Sequence, residues 1–212
     1  MISKQMTPLL FSVLASLGYL SSPSAFAKTE VETSRSSLSG SLMFGYYQGH
    51  INADAELDSA AQLTLRLHYF PTRNWGLEAG LNQPSSLSTT TESDNAGRYQ
   101  LTFDSDELML GVSGKWPIDN TWNLLGSVGL LYYDMEIRLE ESFYDYKPSG
   151  SDKTDDNGTG YYATAGVRYH LKGKWSIDAQ AMHFMRQDVM GDSRKPFDLS
   201  STGASVGAAL YF

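Results

Sequence analysis

The residues of this chain that could do chemistry are few. Four histidines and no cysteine stand among 212 residues, so a thiol nucleophile, a thiolate metal site and a disulfide framework are all absent. His183, in the run Ala181 to Asp188, lies late in its strand, and the residue two beyond it is Met185. The run Asp152-Lys153-Thr154-Asp155-Asp156-Asn157-Gly158 is rich in oxygen ligands, but it lacks the ligand spacing and closing glutamate of an EF-hand loop. It reads as a solvated loop. No phosphate-cradling glycine loop, nucleophile elbow or HExxH pair occurs, and no cofactor and no enzymatic activity are expected. What remains is charge pairing: Arg66, His68, Glu78, Glu107, Lys115, Arg168, His170 and Asp178 alternate with apolar residues.

That alternation defines the elements that hold them. From Ala61 to Phe70, Ala61, Leu63, Leu65, Leu67 and Tyr69 share one face, while Gln62, Thr64, Arg66 and His68 share the other. Strand side chains alternate between faces, so period two means one greasy face and one polar face. Such stripes occur eight times, near Leu38–Tyr46, Ala61–Tyr69, Trp75–Leu81, Leu108–Trp116, Trp122–Tyr132, Tyr161–Tyr169, Trp175–Ala181 and Ala204–Phe212. Most run 8 to 12 residues, and about 9–11 tilted residues cross a bilayer.

The connections alternate as well. Phe70–Asn74, Pro117–Thr121 and Lys172–Lys174 are short turns, whereas Gly49–Ser59, Gln83–Asp106, Asp134–Gly160 and Arg186–Ser200 are long and polar. Short turns at one end and long loops at the other are the habit of transmembrane barrels. Trp75, Trp116, Trp122 and Trp175 all lie beside the short turns, as an interface girdle would require. Tyr46, Tyr132, Tyr133, Tyr161 and Tyr162 sit toward the opposite rim.

The N-terminus reads as an address. Lys4, the apolar Leu9–Leu20, a Ser22-Pro23-Ser24 break and the small-x-small Ala25-Phe26-Ala27 describe a secretory signal peptide over 1–27. Cleavage would leave Lys28 at the start, 28–36 as a polar lead-in, and 37–212 as one barrel domain. The charge of −8, from 24 acids against 16 bases, argues against nucleic acid as a partner. A mean hydropathy of −0.32 leaves a membrane barrel open, because inward side chains are free to be polar.

With these residues in view the chain resembles the small outer-membrane β-barrel family, the OmpA-like and OmpX-like group of Gram-negative bacteria. The resemblance is carried by Phe70–Leu81 (FPTRNWGLEAGL), by Lys115–Asp134 and by the terminal GAALYF, and it covers about Leu38 to Phe212. It implies a closed, eight-stranded, antiparallel up-and-down transmembrane barrel in the cell outer membrane, among outer-membrane lipid and lipopolysaccharide. It also implies that Val206, Ala208, Leu210 and Phe212 form the signal read by the barrel-assembly machinery, although Leu210 stands where that family often has Tyr. No peptidoglycan-binding domain is expected beyond Phe212. Outer-membrane lipid A deacylases resemble this architecture and use a His-x-Ser arrangement; Met185 occupies the serine position, so that activity does not carry over.

If closed, such a barrel buries the charged face. Tyr69 facing Trp75 across the first turn would set Arg66 opposite Glu78, and the last short turn would bring Arg168 to Asp178. Glu107 and Lys115 complete the expected lumen charge network, since a lone buried charge is costly. A parity change between Tyr99/Leu101/Phe103 and Leu108/Leu110/Val112 suggests a bulge or tight turn at Asp104–Asp106. A similar change from Tyr132 to Met135 suggests β-structure projecting outside the membrane. The expected function is structural or surface interaction, with an extracellular protein or host surface as the outside partner of Glu136–Tyr146 and Asp152–Asp156. The alternatives are a soluble periplasmic lipocalin-like binding barrel, a lipid A-modifying enzyme and a small channel.

Overall fold

The computed structural model describes residues 37–51, 55–89, 92–93, 97–143, 150–191 and 196–212; the expected signal peptide with its Ala25, Ala27 and Lys28 lies outside them. Eight long strands form the wall: β1 (Ser37–Ile51), β2 (Ala55–Phe70), β3 (Trp75–Pro84), β6 (Gly97–Pro117), β7 (Trp122–Phe143), β8 (Gly150–His170), β9 (Trp175–Val189) and β10 (Phe197–Tyr211). Two short strands, β4 (Leu87–Ser88) and β5 (Glu92–Ser93), lie along β6. Every long strand pairs antiparallel with its neighbours. The ring closes where β10 meets β1, from Ser39↔Tyr211 to Ile51↔Leu199, and where β3 meets β6. Closure leaves no open edge at bilayer depth, where an unpaired backbone group costs several kcal/mol.

The greasy stripes point outward. Phe44, Leu77, Leu110, Val128, Leu130 and Val206 are exposed, while Arg66, Glu78, Arg168 and Asp178 are buried. A water-soluble barrel would invert this arrangement, so the lipocalin-like alternative falls. The outward band runs from the tryptophans at the short-turn end to Tyr46, Tyr132 and Tyr161. The ten residue steps from Trp122 to Tyr132, at ~3.3 Å each and a tilt near 40°, give a height of about 25 Å.

Beyond that band the long loops of the sequence reading are largely strand. The β-structure expected to project past Tyr132 is present and takes up most of the long stretch Asp134–Gly160: β7 runs to Phe143 and β8 resumes at Gly150. The expected bulge at Asp104–Asp106 is absent: β6 and β7 keep one unbroken register from Gly97↔Phe143 to Pro117↔Asn123. Parity never changes; the surroundings do. Within the band Leu108 and Leu110 face out, whereas Glu107 faces in. Above it Phe103, Met135 and Ile137 face in and are buried, on the side opposite Asp104 and Glu136. Outside the strands lipid has given way to water, so the apolar set moves to the interior without any slip of the chain.

Those inward residues make an apolar cap at the long-loop end. Tyr47, Leu57, Leu87, Phe103, Tyr133, Met135, Ile137, Val189 and Leu199 form one buried cluster, with Leu101, Met190 and Phe197 packed against it. Below the cap the interior holds a second buried apolar cluster, Met109, Leu131, Tyr162, Met182 and Phe184, among polar and charged side chains.

Candidate functional site

The lumen beneath the cap is filled by three tiers of charge, each assembled from several strands. Nearest the short turns, Arg168 on β8 and Asp178 on β9 are directly paired in register and form a two-pronged bridge, Nε to Oδ1 and Nη2 to Oδ2, both 2.6 Å. Arg168 Nη1 also donates to the Tyr211 hydroxyl at 3.0 Å. Paired, planar geometry of this kind compensates much of the desolvation that a lone buried ion would suffer.

The middle tier is organised around Glu78 on β3. Its Oε2 lies 2.7 Å from His68 Nε2 and accepts from Ser127 (2.7 Å) and Ser113 (3.0 Å), while Oε1 accepts from the Tyr162 hydroxyl at 2.9 Å. Arg66 stands 3.8 Å from the same Oε1 and donates to Gln180 Oε1 at 2.7 Å. The sequence reading placed Arg66 directly opposite Glu78. The register instead pairs His68 with Glu78 and Arg66 with Gly80. The β2–β3 ladder ends at Tyr69↔Leu77, and within the turn the Thr72 hydroxyl bonds both the carbonyl and the N–H of Trp75 (2.9 and 3.0 Å). Arg66 therefore reaches Glu78 diagonally and His68 becomes its direct neighbour.

The upper tier joins Glu107 on β6 to Arg186 on β9 across the lumen. Arg186 donates from Nε at 2.7 Å and also from Nη2, and its Nη1 reaches Ser201 at 3.2 Å. Asn82 links the tier, donating to Glu107 Oε2 at 2.8 Å and accepting from Thr64 at 2.6 Å. The sequence places Arg186 at the start of a long polar stretch, Arg186–Ser200. It continues the inward parity of Asp178, Gln180, Met182 and Phe184, and that continuation was the available signal. Lys115 stays outside the three tiers. Its ammonium sits 4.5 Å above the Phe70 ring and 3.5 Å from Ser37, at the short-turn mouth.

Tyr162 was expected at the rim with Tyr161, yet the two take opposite faces: Tyr161 is exposed and Tyr162 is buried. Glycines on the next two strands, Gly129 on β7 and Gly111 on β6, make its path possible. A Cβ on Gly129 would lie 2.7 Å from Tyr162 Cε1, and one on Gly111 would meet the hydroxyl itself. Gly129→Val is expected to push the phenol off Glu78 and to destabilise the fold by about 1–3 kcal/mol through overpacking. A urea titration in lipid of this variant, alone and with Tyr162→Phe, checks the assignment; additive losses would contradict it.

The remaining candidates lie outside the lumen. His183 faces outward, its Nδ1 2.8 Å from Thr202 Oγ1. Trp75 and Trp116 pack edge to face at 5.3 Å, Trp122 packs on Tyr169 at 4.8 Å, and all four tryptophans are exposed beside the short turns. Val206 and Phe212 are exposed on the outer face of the closing strand pair, with Ala208 paired to Leu42 and Leu210 to Gly40. Phe212 is tied to β1 by its N–H bonding the Leu38 carbonyl at 3.0 Å.

On the water-facing extension Glu136 accepts from Lys153 Nζ (2.7 Å) and Arg138 Nη2 (2.9 Å), and these two donors hold its carboxyl below the usual range. The void between His68, Phe70, Ser127, Arg168 and Gln180 is too narrow to seat a water molecule.

Solved structures share this architecture at low identity. The Ail attachment invasion locus protein of Yersinia pestis aligns at 14% identity over 83% of this chain and 98% of that one, with a TM-score of 0.50. Neisserial surface protein A aligns at 9% identity over 84% and 99%, with a TM-score of 0.55. No curated protein matches the chain in sequence. The family model for the outer membrane protein beta-barrel domain matches residues 12–212, which takes in every strand of the wall. This chain therefore belongs to the outer-membrane β-barrel family and is a protein of the outer membrane.

Proposed function

We propose that this barrel acts by contact at the cell surface, in adhesion or envelope integrity, and neither conducts solutes nor catalyses a reaction. The observation that carries the reading is the combination of a filled lumen, sealed by an apolar cap, with a wall that continues above the membrane as a charged sheet. A transporter would need a path through the three tiers. The outward-facing His183–Thr202 pair has no carboxylate bonded to it among the described residues, which favours structure over acyl transfer. Signal cleavage after Ala27, a 28–36 lead-in, a lipopolysaccharide surround, a tryptophan girdle at the periplasmic interface and recognition of the Val206–Phe212 strand by the assembly machinery belong to the same reading. The lumen network of Arg66, Glu78, Glu107, Arg168, Asp178 and Arg186 serves in it as packing and register control.

Two measurements test it together. In planar bilayers the refolded barrel is expected to show no discrete conductance steps. Cells expressing a variant whose β7–β8 hairpin is shortened by replacing residues 138–153 with Asn-Gly should lose binding to immobilised host-cell matrix while retaining heat-modifiable mobility on gels. Regular conductance steps, or undiminished binding by the shortened variant, would overturn the reading.

A further inference from the structure

The lumen charges pair off, and among the described residues one inward cation is left over. Arg168 pairs with Asp178, Arg66 with Glu78, and Arg186 with Glu107. Lys115 shares the inward parity of Glu107 and Ser113 on β6 and is half-buried, yet none of the ion pairs among the described residues involves it. The Phe212 carboxylate takes part in none of them either. The Lys115 ammonium is held instead by the face of the Phe70 ring, at 4.5 Å, and by the Ser37 hydroxyl, at 3.5 Å.

The neighbouring carboxylates are already taken. Both oxygens of Asp178 accept from Arg168. The third nitrogen of Arg168 bonds the Tyr211 hydroxyl at 3.0 Å and the Ser39 hydroxyl at 3.4 Å. Asp119, the carboxylate of the three short turns, accepts at Oδ1 from the N–H groups of Thr121 and Trp122, at 2.6 and 2.8 Å. Other groups nearby reinforce the positive field. Arg168 lies within electrostatic reach of Lys115, and both lie within reach of His170. With the Asn123 amide donating to His170 Nε2 at 2.6 Å, the ring proton falls on Nδ1. The Ser176 hydroxyl, at the position paired with His170, is buried without a partner.

Arg73, Lys172 and Lys174 are exposed on the turns around the same opening. An opening lined by one sign of charge focuses its field and concentrates counter-ions. An ammonium partly withdrawn from water, without a carboxylate, favours an anion from outside.

Topology selects the source of that anion. Headgroups of the surrounding leaflet lie outside the wall, level with the exposed Trp75, Trp116, Trp122 and Trp175, whereas Lys115 points inside it. A ligand of Lys115 must come from the water onto which the short turns open, the periplasm in barrels of this kind. The cations stand on separate turns, so a chain bearing several carboxylates engages more of them than a single ion can.

We infer that the short-turn mouth is a binding site for the carboxylates of an acidic peptide segment. Lys115 is its anchor, and Arg73, Lys172 and Lys174 form the outer ring that draws the chain in. The site lies at the opposite end of the barrel from the extended sheet and is independent of the surface-contact reading.

The test uses the full barrel in phosphatidylcholine nanodiscs, the capped peptide (Glu-Ala)4 as probe and (Gln-Ala)4 as its neutral control. NMR titration at low salt should show saturating shifts at Lys115, Ser37 and the His170 ring with the acidic peptide, and none with the control. Lys115→Gln should weaken binding about tenfold, the loss of one charge-assisted contact. Lys115→Arg should retain binding, and both variants should keep heat-modifiable mobility. Arg73→Gln with Lys174→Gln should weaken binding at low salt and change little at high salt, where exposed charges are screened. The barrel with the shortened β7–β8 hairpin should titrate like the parent, so failure here leaves the surface-contact reading untouched. Shifts that fail to saturate, or that Lys115→Gln leaves intact, would overturn the inference. So would equal shifts with inorganic phosphate at the same concentration, which would mark an adventitious ion only. The same shifts produced without peptide by phosphatidylglycerol in the disc would assign the site to a lipid surface and overturn it as well.

Discussion

Leu65→Arg is expected to lower the folding stability of the barrel in lipid by about 2–4 kcal/mol, the cost of an arginine near the bilayer midplane. Leu65 belongs to a row of outward leucines, paired with Leu42 on β1 and Leu81 on β3, and Leu81 in turn pairs with Leu108 on β6. Arginine there has no polar neighbour within the row and must reach for the interface or drag water inward. The informative control is Gln100→Arg. Gln100 has the outward parity of Leu108 on the same strand, lies above the band, and pairs with Glu140. In water beside a carboxylate the change should fall within about 0.5 kcal/mol of neutral. Refolding titrations that show the same effect at both positions would mean the band ends elsewhere.

Asp178→Ala is expected to cost about 3–5 kcal/mol, because it leaves the fully buried Arg168 guanidinium without its carboxylate. Arg168→Met should be similarly damaging from the other side. Replacing both, as Arg168→Met with Asp178→Leu, should recover much of the loss, since an apolar pair of similar volume carries no desolvation penalty. Urea titrations of the two single variants and the double variant give the coupling directly. Simple additivity would show that the bridge contributes nothing beyond the packing of its two side chains. His170, 5.6 Å from the Tyr211 ring that also contacts Arg168, stays close enough to report rearrangement by NMR.

The strands of the wall could be read directly because a strand writes its orientation every second residue. Ala61 to Tyr69 and Tyr161 to Tyr169 needed no partner to reveal which side is greasy, and the short turns declared themselves through Pro71, Pro117 and Gly173. Gly173 takes a φ of 83°, which suits its turn. The misread pairings of charges concern distance between chain segments. The β2–β3 register pairs His68 with Glu78, two residues away from the pairing expected across the turn, and no periodicity carries that information. Glu107 and Arg186 are 79 residues apart, and their meeting depends on how far every intervening strand is staggered.

Alternation along the chain therefore determined by itself that this is a β-barrel with one apolar and one polar face, where its short turns lie, and that Arg66, Glu78, Glu107, Arg168 and Asp178 face the interior. The tertiary structure alone decided which of those charges touch, how the mouth is capped, and where the outer surface changes from lipid-facing to water-facing. The division has one physical cause. Facing is set residue by residue through the pleat of each strand, but contact across a closed ring depends on the stagger accumulated around the whole circuit. The same parity has opposite polarity on the two sides of the membrane boundary, because the solvent, not the chain, changes there.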